Sequence, residues 1–316
     1  MNRCTCSRWL LTSVIGLLPF QLAMSDQPQL SVSFHDEGAT VFEGKSPVLS
    51  YQAKSRSHEG GWQRADYVHP IYGLDGKVIT EDFPDDHRHH RGVFWAWHQV
   101  WVGDKRLGDP WVCQDFQWDV QSVAANTPGD HSVSITAVTH WKSPAFVDAT
   151  DKPIAVVREQ AEMRVHAKQA HYRVIDFRLS LLALRDDVRI GGSEDEKGYG
   201  GFSPRIRMNG DERFLSESGS LEPTTMAITA GTWVNITREN SGTAILCHRD
   251  NPQVTKQHAM WILRRNRSMQ NAVFPGREPV TISTTQPLHL RYRLVVHDGT
   301  LTSEDIRAQQ SDFWSS

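Results

Sequence analysis

Apolar and polar residues alternate one by one along most of this chain, from Leu30 to Val296. A period of two marks strands with one buried face. Leu30 to Phe34, Ala39 to Phe42, Val48 to Gln52 and Tyr67 to Ile71 read as strands separated by Gly, Lys and Ser turns. Leu74-Asp75-Gly76-Lys77 carries an Asp-Gly hairpin signal. Phe116 to Val123 and His131 to Trp141 alternate again. Glu159-Gln160-Ala161-Glu162-Met163 has good helical propensity, yet Ala161, Met163, Val165 and Ala167 alternate with Glu162, Arg164 and His166. Ile175, Phe177, Leu179 and Leu181 repeat the pattern, so the period predicts two long antiparallel strands joined near Lys168-Gln169-Ala170. Further strands are expected around Thr232 to Arg238, Thr243 to His248, Ala259 to Arg264, Val280 to Thr284 and Leu288 to Val296. One helix is predicted, at the C-terminus. Thr302 or Ser303 can cap it, and Glu304 and Asp305 fall in its first turn.

So many strands without a βαβ rhythm predict an all-β fold, an antiparallel β-sandwich with a short C-terminal helix; a barrel is the alternative. No Pro/Ser/Gly linker divides the chain after its N-terminal segment, so residues 26–316 read as a single domain. The net charge of -3, from 34 Lys+Arg and 37 Asp+Glu, points to neither nucleic acid nor an anionic membrane as partner. Cys113 and Cys247, the cysteines outside the N-terminal segment, could pair or remain buried thiols.

The chemistry concentrates between Asp82 and Trp101, where acids, imidazoles and guanidiniums run into an aromatic series. As an extended strand, this stretch puts His87, His89, Arg91, Trp95, Trp97 and Trp101 on one face, and His90, Phe94 and His98 on the other. Gly92 could kink it and break that register. Trp beside His and Arg fits the wall of a polar cleft, where a sugar's C–H face packs on an indole while charged groups hold its hydroxyls.

Tyr67-Val68-His69-Pro70, Gly73-Leu74-Asp75-Gly76, Thr80-Glu81-Asp82-Phe83-Pro84, Asp86-His87-Arg88-His89-His90-Arg91-Gly92 and Phe94-Trp95-Ala96-Trp97 resemble motifs of the exported "PmoA-like" bacterial family. Gly200-Gly201-Phe202-Ser203-Pro204-Arg205-Ile206 and His248-Arg249-Asp250-Asn251-Pro252 extend the resemblance, whereas Arg264 to Val273 departs from the family's Trp-His-x-Arg and Asn-Pro-Phe pattern. The family label echoes a methane-oxidising membrane enzyme, but no segment after the first 25 residues is apolar and long enough to be an integral subunit's helix. More distantly, the chain is similar to galactose-mutarotase-like supersandwich proteins, a superfamily of aldose epimerases, polysaccharide lyases and glycoside hydrolase domains. That resemblance implies sugar chemistry by analogy of fold.

The reading is therefore a carbohydrate ligand and an enzyme working by His and carboxylate acid–base chemistry as an epimerase, lyase or hydrolase. A non-catalytic glycan-binding module and a metal-dependent hydrolase or oxidoreductase are the alternatives. His87, His89, His90 and Arg91 are the candidate catalytic groups. His69, Trp97, His98, Arg205, His248 and Asn251 are the candidate substrate-binding groups; Trp97 and Trp101 could be stacking platforms, although burial between the sheets is the favoured role for both. The base could be Glu81, Asp82, Glu194 or Glu278. No cofactor is expected, although zinc or copper could sit at His87, His89 and His90, opposed by Arg88 and Arg91.

Residues 1–25 read as an export signal. Arg3 and Arg8 precede an apolar run from Trp9 to Ala23, and Ala23-Met24-Ser25 places small residues for cleavage before Asp26. The expected location is periplasmic or extracellular, with no membrane insertion after cleavage. Intact-mass measurement of exported protein should give a chain beginning near Asp26; one that retains Met1 would count against cleavage.

Overall fold

The computed structural model describes residues 1, 29–252, 260–266 and 268–316. The expected export signal lies, apart from residue 1, outside them.

Alternation builds the frame as the sequence implies. Val157–His166 buries every second residue, and pairs antiparallel with Tyr172–Ala183 from Val157↔Ala183 to Val165↔Ile175. These two strands are central to a nine-stranded sheet. Its order runs Gln117–Asn126, Ser132–Lys142, Val157–His166, Tyr172–Ala183, Leu288–Asp298, Ser241–Cys247, Trp233–Arg238, Arg213–Ser216 and Gly219–Leu221. A six-stranded sheet packs on it, in the order Leu30–His35, Gly38–Glu43, Ser46–Gln52, Tyr67–Ile71, Val93–Ala96 and Gly201–Pro204. Rings knit the sheets together. Phe202 of the smaller sheet stacks on Tyr292 at 4.3 Å and meets Phe177 edge-on at 5.0 Å, both from the larger. The fold is thus an antiparallel β-sandwich rather than a barrel.

The predicted helix forms at Ser303–Ser315. Thr302 caps it through a reciprocal pair: its hydroxyl accepts from the Asp305 N–H at 3.2 Å, and the Asp305 carboxylate accepts from the Thr302 N–H at 2.8 Å. Ile306 and Phe313 then join Trp233, Leu246 and Val295 in an apolar cluster separate from the inter-sheet core. Cys113 and Cys247 are both free thiols, so they are not paired.

The aromatic run departs from the single-strand expectation. His87–His90 occupies turns, with the His87 N–H bonded to Pro84 O and the His90 N–H to His87 O. Gly92 then turns the chain at φ 24, where an added Cβ would stand 2.0 Å from the Val68 carbonyl oxygen. Beyond it, Val93–Ala96 and Gln99–Val102 enter different sheets. Trp95 and Trp97 point into the inter-sheet core instead of a cleft.

That core holds two carboxyls. Asp66 and Glu159 are fully buried, and burial raises both, Glu159 well above its ordinary range. Tyr51 Oη donates to Asp66 at 2.6 Å, while the Trp95 and Trp141 indoles donate to the two oxygens of Glu159. Replacing Glu159 by Leu strands two buried indole N–H groups, so each should cost roughly 1–3 kcal/mol of stability. Denaturant unfolding checks this; an unchanged midpoint would contradict the role assigned to the carboxylate.

Candidate active site

The site grows from residues 72–92, which connect Tyr67–Ile71 to Val93–Ala96. Short backbone pairings clamp this connection against the chain leaving Gly201–Pro204. Glu81 donates its N–H to Arg205 O at 3.0 Å, Gly92 donates to Glu81 O at 2.7 Å, and Arg205 donates to Gly92 O at 2.6 Å. These bonds bring Arg205 beneath the histidine turns, across more than a hundred residues of sequence.

Arg205 is the hub. It is fully buried, and its Nε donates to Glu81 Oε2 at 2.8 Å, Nη2 to Asp86 Oδ1 at 2.8 Å, and Nη1 to His90 Nδ1 at 3.2 Å. The other Asp86 oxygen meets His87 Nδ1 at 2.9 Å. Burial opposes ionisation of Asp86, but the His87 and Arg205 hydrogen bonds outweigh it and hold the carboxyl below its usual range. The His87 and His90 rings lie parallel, 4.6 Å apart, and His89 stands edge-on to His90 at 4.6 Å.

Exposure divides these imidazoles. The His87 side chain is 44% exposed, whereas His90 is 2% exposed. Burial, then the charges of His87 and Arg64, pushes His89 down to about 3. Burial, then His89, His87 and Arg205, drives His90 well below the imidazole range. Because Arg205 donates to its Nδ1, neutral His90 carries its proton on Nε2. Burial therefore holds both His89 and His90 neutral.

The remaining expected residues divide by location. His98 lies with the cluster: its Nδ1 meets Asp109 Oδ2 at 2.8 Å, its ring stacks on Trp111 at 5.3 Å, and Tyr199 stands edge-on at 4.8 Å. Trp111 in turn meets His90 edge-on at 6.2 Å. His69 flanks the same connection through Nδ1 and Thr80 Oγ1 at 3.0 Å, and burial lowers it to about 4. Arg91 is a correction. Fully buried, it pairs with Asp82 at 3.0 Å, donates to Arg56 O at 3.1 Å and covers the Phe83 ring at 3.3 Å, so it braces the wall without facing a ligand. Trp97 is another: it donates to Phe274 O at 2.9 Å and packs on Trp141 in the core. His248 and Asn251 also lie elsewhere. Both tie to the Arg291 backbone, and His248 packs edge-on against Phe313 of the helix.

Of the candidate bases, Glu81 and Asp82 belong to the hub and its brace, while Glu194 pairs with Arg106 and Glu278 lies near Arg277 at the surface. Among the described residues, no group of three His, Cys, Asp or Glu is arranged to hold a metal ion. The histidines meet ring to ring rather than converging their nitrogens, which does not fit the zinc or copper site that their spacing allowed. Sequence reasoning missed Asp109 and Trp111 as neighbours of the cluster. It also missed Asn271, whose amide donates to Gly200 O and Phe202 O and accepts from the Gly200 N–H. Asp109-Pro110 and the residues before Phe274 showed only turn and motif-break signals.

The chain belongs to a family of unknown function, DUF6807. That family's model matches residues 39–310, and so contains the whole histidine turn, Arg205 and the sandwich around them. No curated protein matches the chain. Among solved structures, a putative mutarotase (YeaD) from Salmonella typhimurium is similar at TM-score 0.38 and 12% identity, over 85% of this chain and 94% of that one. A heparan sulfate lyase HepC mutant from Pedobacter heparinus is similar at TM-score 0.37 and 7% identity, and a heparinase III at 0.34 and 13%. Each lyase match covers 88% of this chain but only 36% and 35% of the respective lyase.

The buried neutral imidazoles set a pH dependence. His69, His89 and His90 titrate near 6.5 in the unfolded chain and lower in the folded one, so the unfolded state takes up protons first as the pH falls. The native state should lose stability from about pH 6.5 downward, through about 4 for His69 and about 3 for His89. Melting temperatures across that range should show the slope, and His89→Gln should flatten it. A profile already flat below neutrality would contradict neutral burial.

Proposed function

We propose that this protein is an exported carbohydrate-active enzyme whose proton-transfer group is His87, oriented by Asp86. One observation carries the reading. Arg205 fixes Asp86 by one oxygen, the other holds His87 Nδ1, and His87 is the exposed imidazole of the stacked pair. A carboxylate behind an imidazole selects its tautomer and steadies the imidazolium formed when Nε2 takes a proton. Neutral His89, which is only partly buried, suits sugar hydroxyls, because it donates and accepts without bringing a fixed charge, while buried His90 supports the stacked His87 ring from behind. The same equipment serves isomerisation, elimination or hydrolysis at a sugar ring, and it needs no cofactor. The His-His-Arg-Gly resemblance to exported proteins and the signal-like first 25 residues support a periplasmic or extracellular setting and one domain over 26–316.

The test is turnover. Mature protein should be incubated with a panel of monosaccharides and oligosaccharides and the products followed by NMR and mass spectrometry. His87→Ala and Asp86→Asn should each lower the rate by about 10²–10⁴-fold. The His87 variant should melt close to wild type, since its side chain is nearly half exposed and its hydrogen bond to Asp86 lies at the surface. Unchanged rates in both variants would refute the assignment. Glycan binding with no turnover by wild type would favour the non-catalytic module.

A further inference from the structure

Two of the indoles that the sequence sets on the histidine face, Trp95 and Trp97, are spent in the core. A different indole stands outside. Trp62 is 38% exposed, on a hairpin formed by Arg56–His58 and Gly61–Arg64. Glu59 and Gly60 make its tight turn with φ of 52 and 80, both in the left-handed region that a two-residue turn of this hand requires. The His58 ring lies between two others, 6.4 Å from Trp62 and 5.7 Å from Phe83. Together the three rings form an aromatic strip that ends at Phe83, four residues before His87.

A single exposed indole is ordinary and needs no explanation. This one is tied to the site by buried charge. Asp82 pairs with Arg56, at the base of the hairpin, at 3.0 Å, and with Arg91 at 3.0 Å. Arg91 donates to Arg56 O at 3.1 Å, reaches Trp62 O at 3.5 Å, and lies flat on Phe83 at 3.3 Å. Arg91 and Asp82 thus lock the hairpin onto the connection that ends in the histidine turns. Phe83 sits next to Pro84, whose carbonyl accepts the His87 N–H at 3.2 Å. A backbone step of four residues separates the strip from the proposed proton-transfer group.

We infer that the Trp62–His58–Phe83 strip is a glycan-chain subsite, binding a sugar unit adjacent to the one held at His87. The inference rests on the function proposed above and adds its substrate class: a chain of at least two sugar units. Flat rings present a face to the axial C–H bonds of a pyranose. The half-exposed guanidinium of Arg56 and the exposed carboxylate of Glu59 belong to the same hairpin and are available to hydroxyls. Arg91 acts here as a positioning residue, holding the platform without touching the ligand.

Calorimetric titration of mature wild type, Trp62→Ala, Trp62→Phe and His87→Ala with cello-, xylo-, chito- and galacturonate hexasaccharides, and with their monosaccharides, tests this. Wild type should bind at least one hexasaccharide. Trp62→Ala should weaken that binding about tenfold or more, Trp62→Phe should restore most of it, and monosaccharide turnover should be unchanged in both. His87→Ala should keep hexasaccharide binding while losing turnover. If Trp62→Ala binds as wild type does, if phenylalanine fails to rescue, or if wild type binds none of the four, the subsite is refuted. Trp62-dependent binding in a protein that turns over nothing would uphold the subsite and refute the catalytic reading.

Discussion

The Arg205 guanidinium is the interaction on which the site depends. It lies in a place where an unpaired cation would be very costly, and it is satisfied by Glu81, Asp86 and His90 together. Those partners come from a connection with little regular structure, so the guanidinium supplies order that a β-ladder would give elsewhere. Remove it and Asp86 loses its anchor, His90 its donor, and the stacked imidazoles the geometry that sets His87 facing outward. The ion pairs here act as a template for the loop more than as a source of net stability.

Desolvation then separates roles among residues that look alike. Three imidazoles lie within four positions, yet His89 and His90 are held neutral by burial while His87 remains at the surface with a carboxylate behind it. That division leaves one exposed carboxylate–imidazole pair beside two neutral rings. The second ion network, around Asp82, repeats the logic. It fixes Arg91 internally and with it the hairpin that carries Trp62.

The core carries its own polar constraint. The Asp66–Glu159 pair sits where the two sheets face each other, and the indoles of Trp95 and Trp141 reach it from opposite sheets. Part of the tryptophan content that suggests a sugar-binding surface is therefore committed to satisfying one buried carboxyl group, that of Glu159. Indole has both an apolar face and a single N–H, and either property can decide where it goes.

Alternation by itself determined the strands, because period two is a local property that survives any tertiary arrangement. Tyr172–Ala183 and its neighbours form as their spacing requires, and Thr302 with Asp305 sets the start of the helix through bonds within four residues. The density of His, Arg and Asp near residue 87 likewise marked the place where chemistry gathers. Which of them act was decided only in three dimensions. Gly92 breaks the strand because the Val68 carbonyl leaves no room for a side chain, and this sends Trp95 and Trp97 inward instead of along the histidine face. Arg205 joins the cluster and His248 does not, although both lie in motifs far along the chain, because strand order carries one to the loop and the other to the helix. Burial and charge pairing depend on neighbours that no local pattern encodes, so the fold assigns the roles.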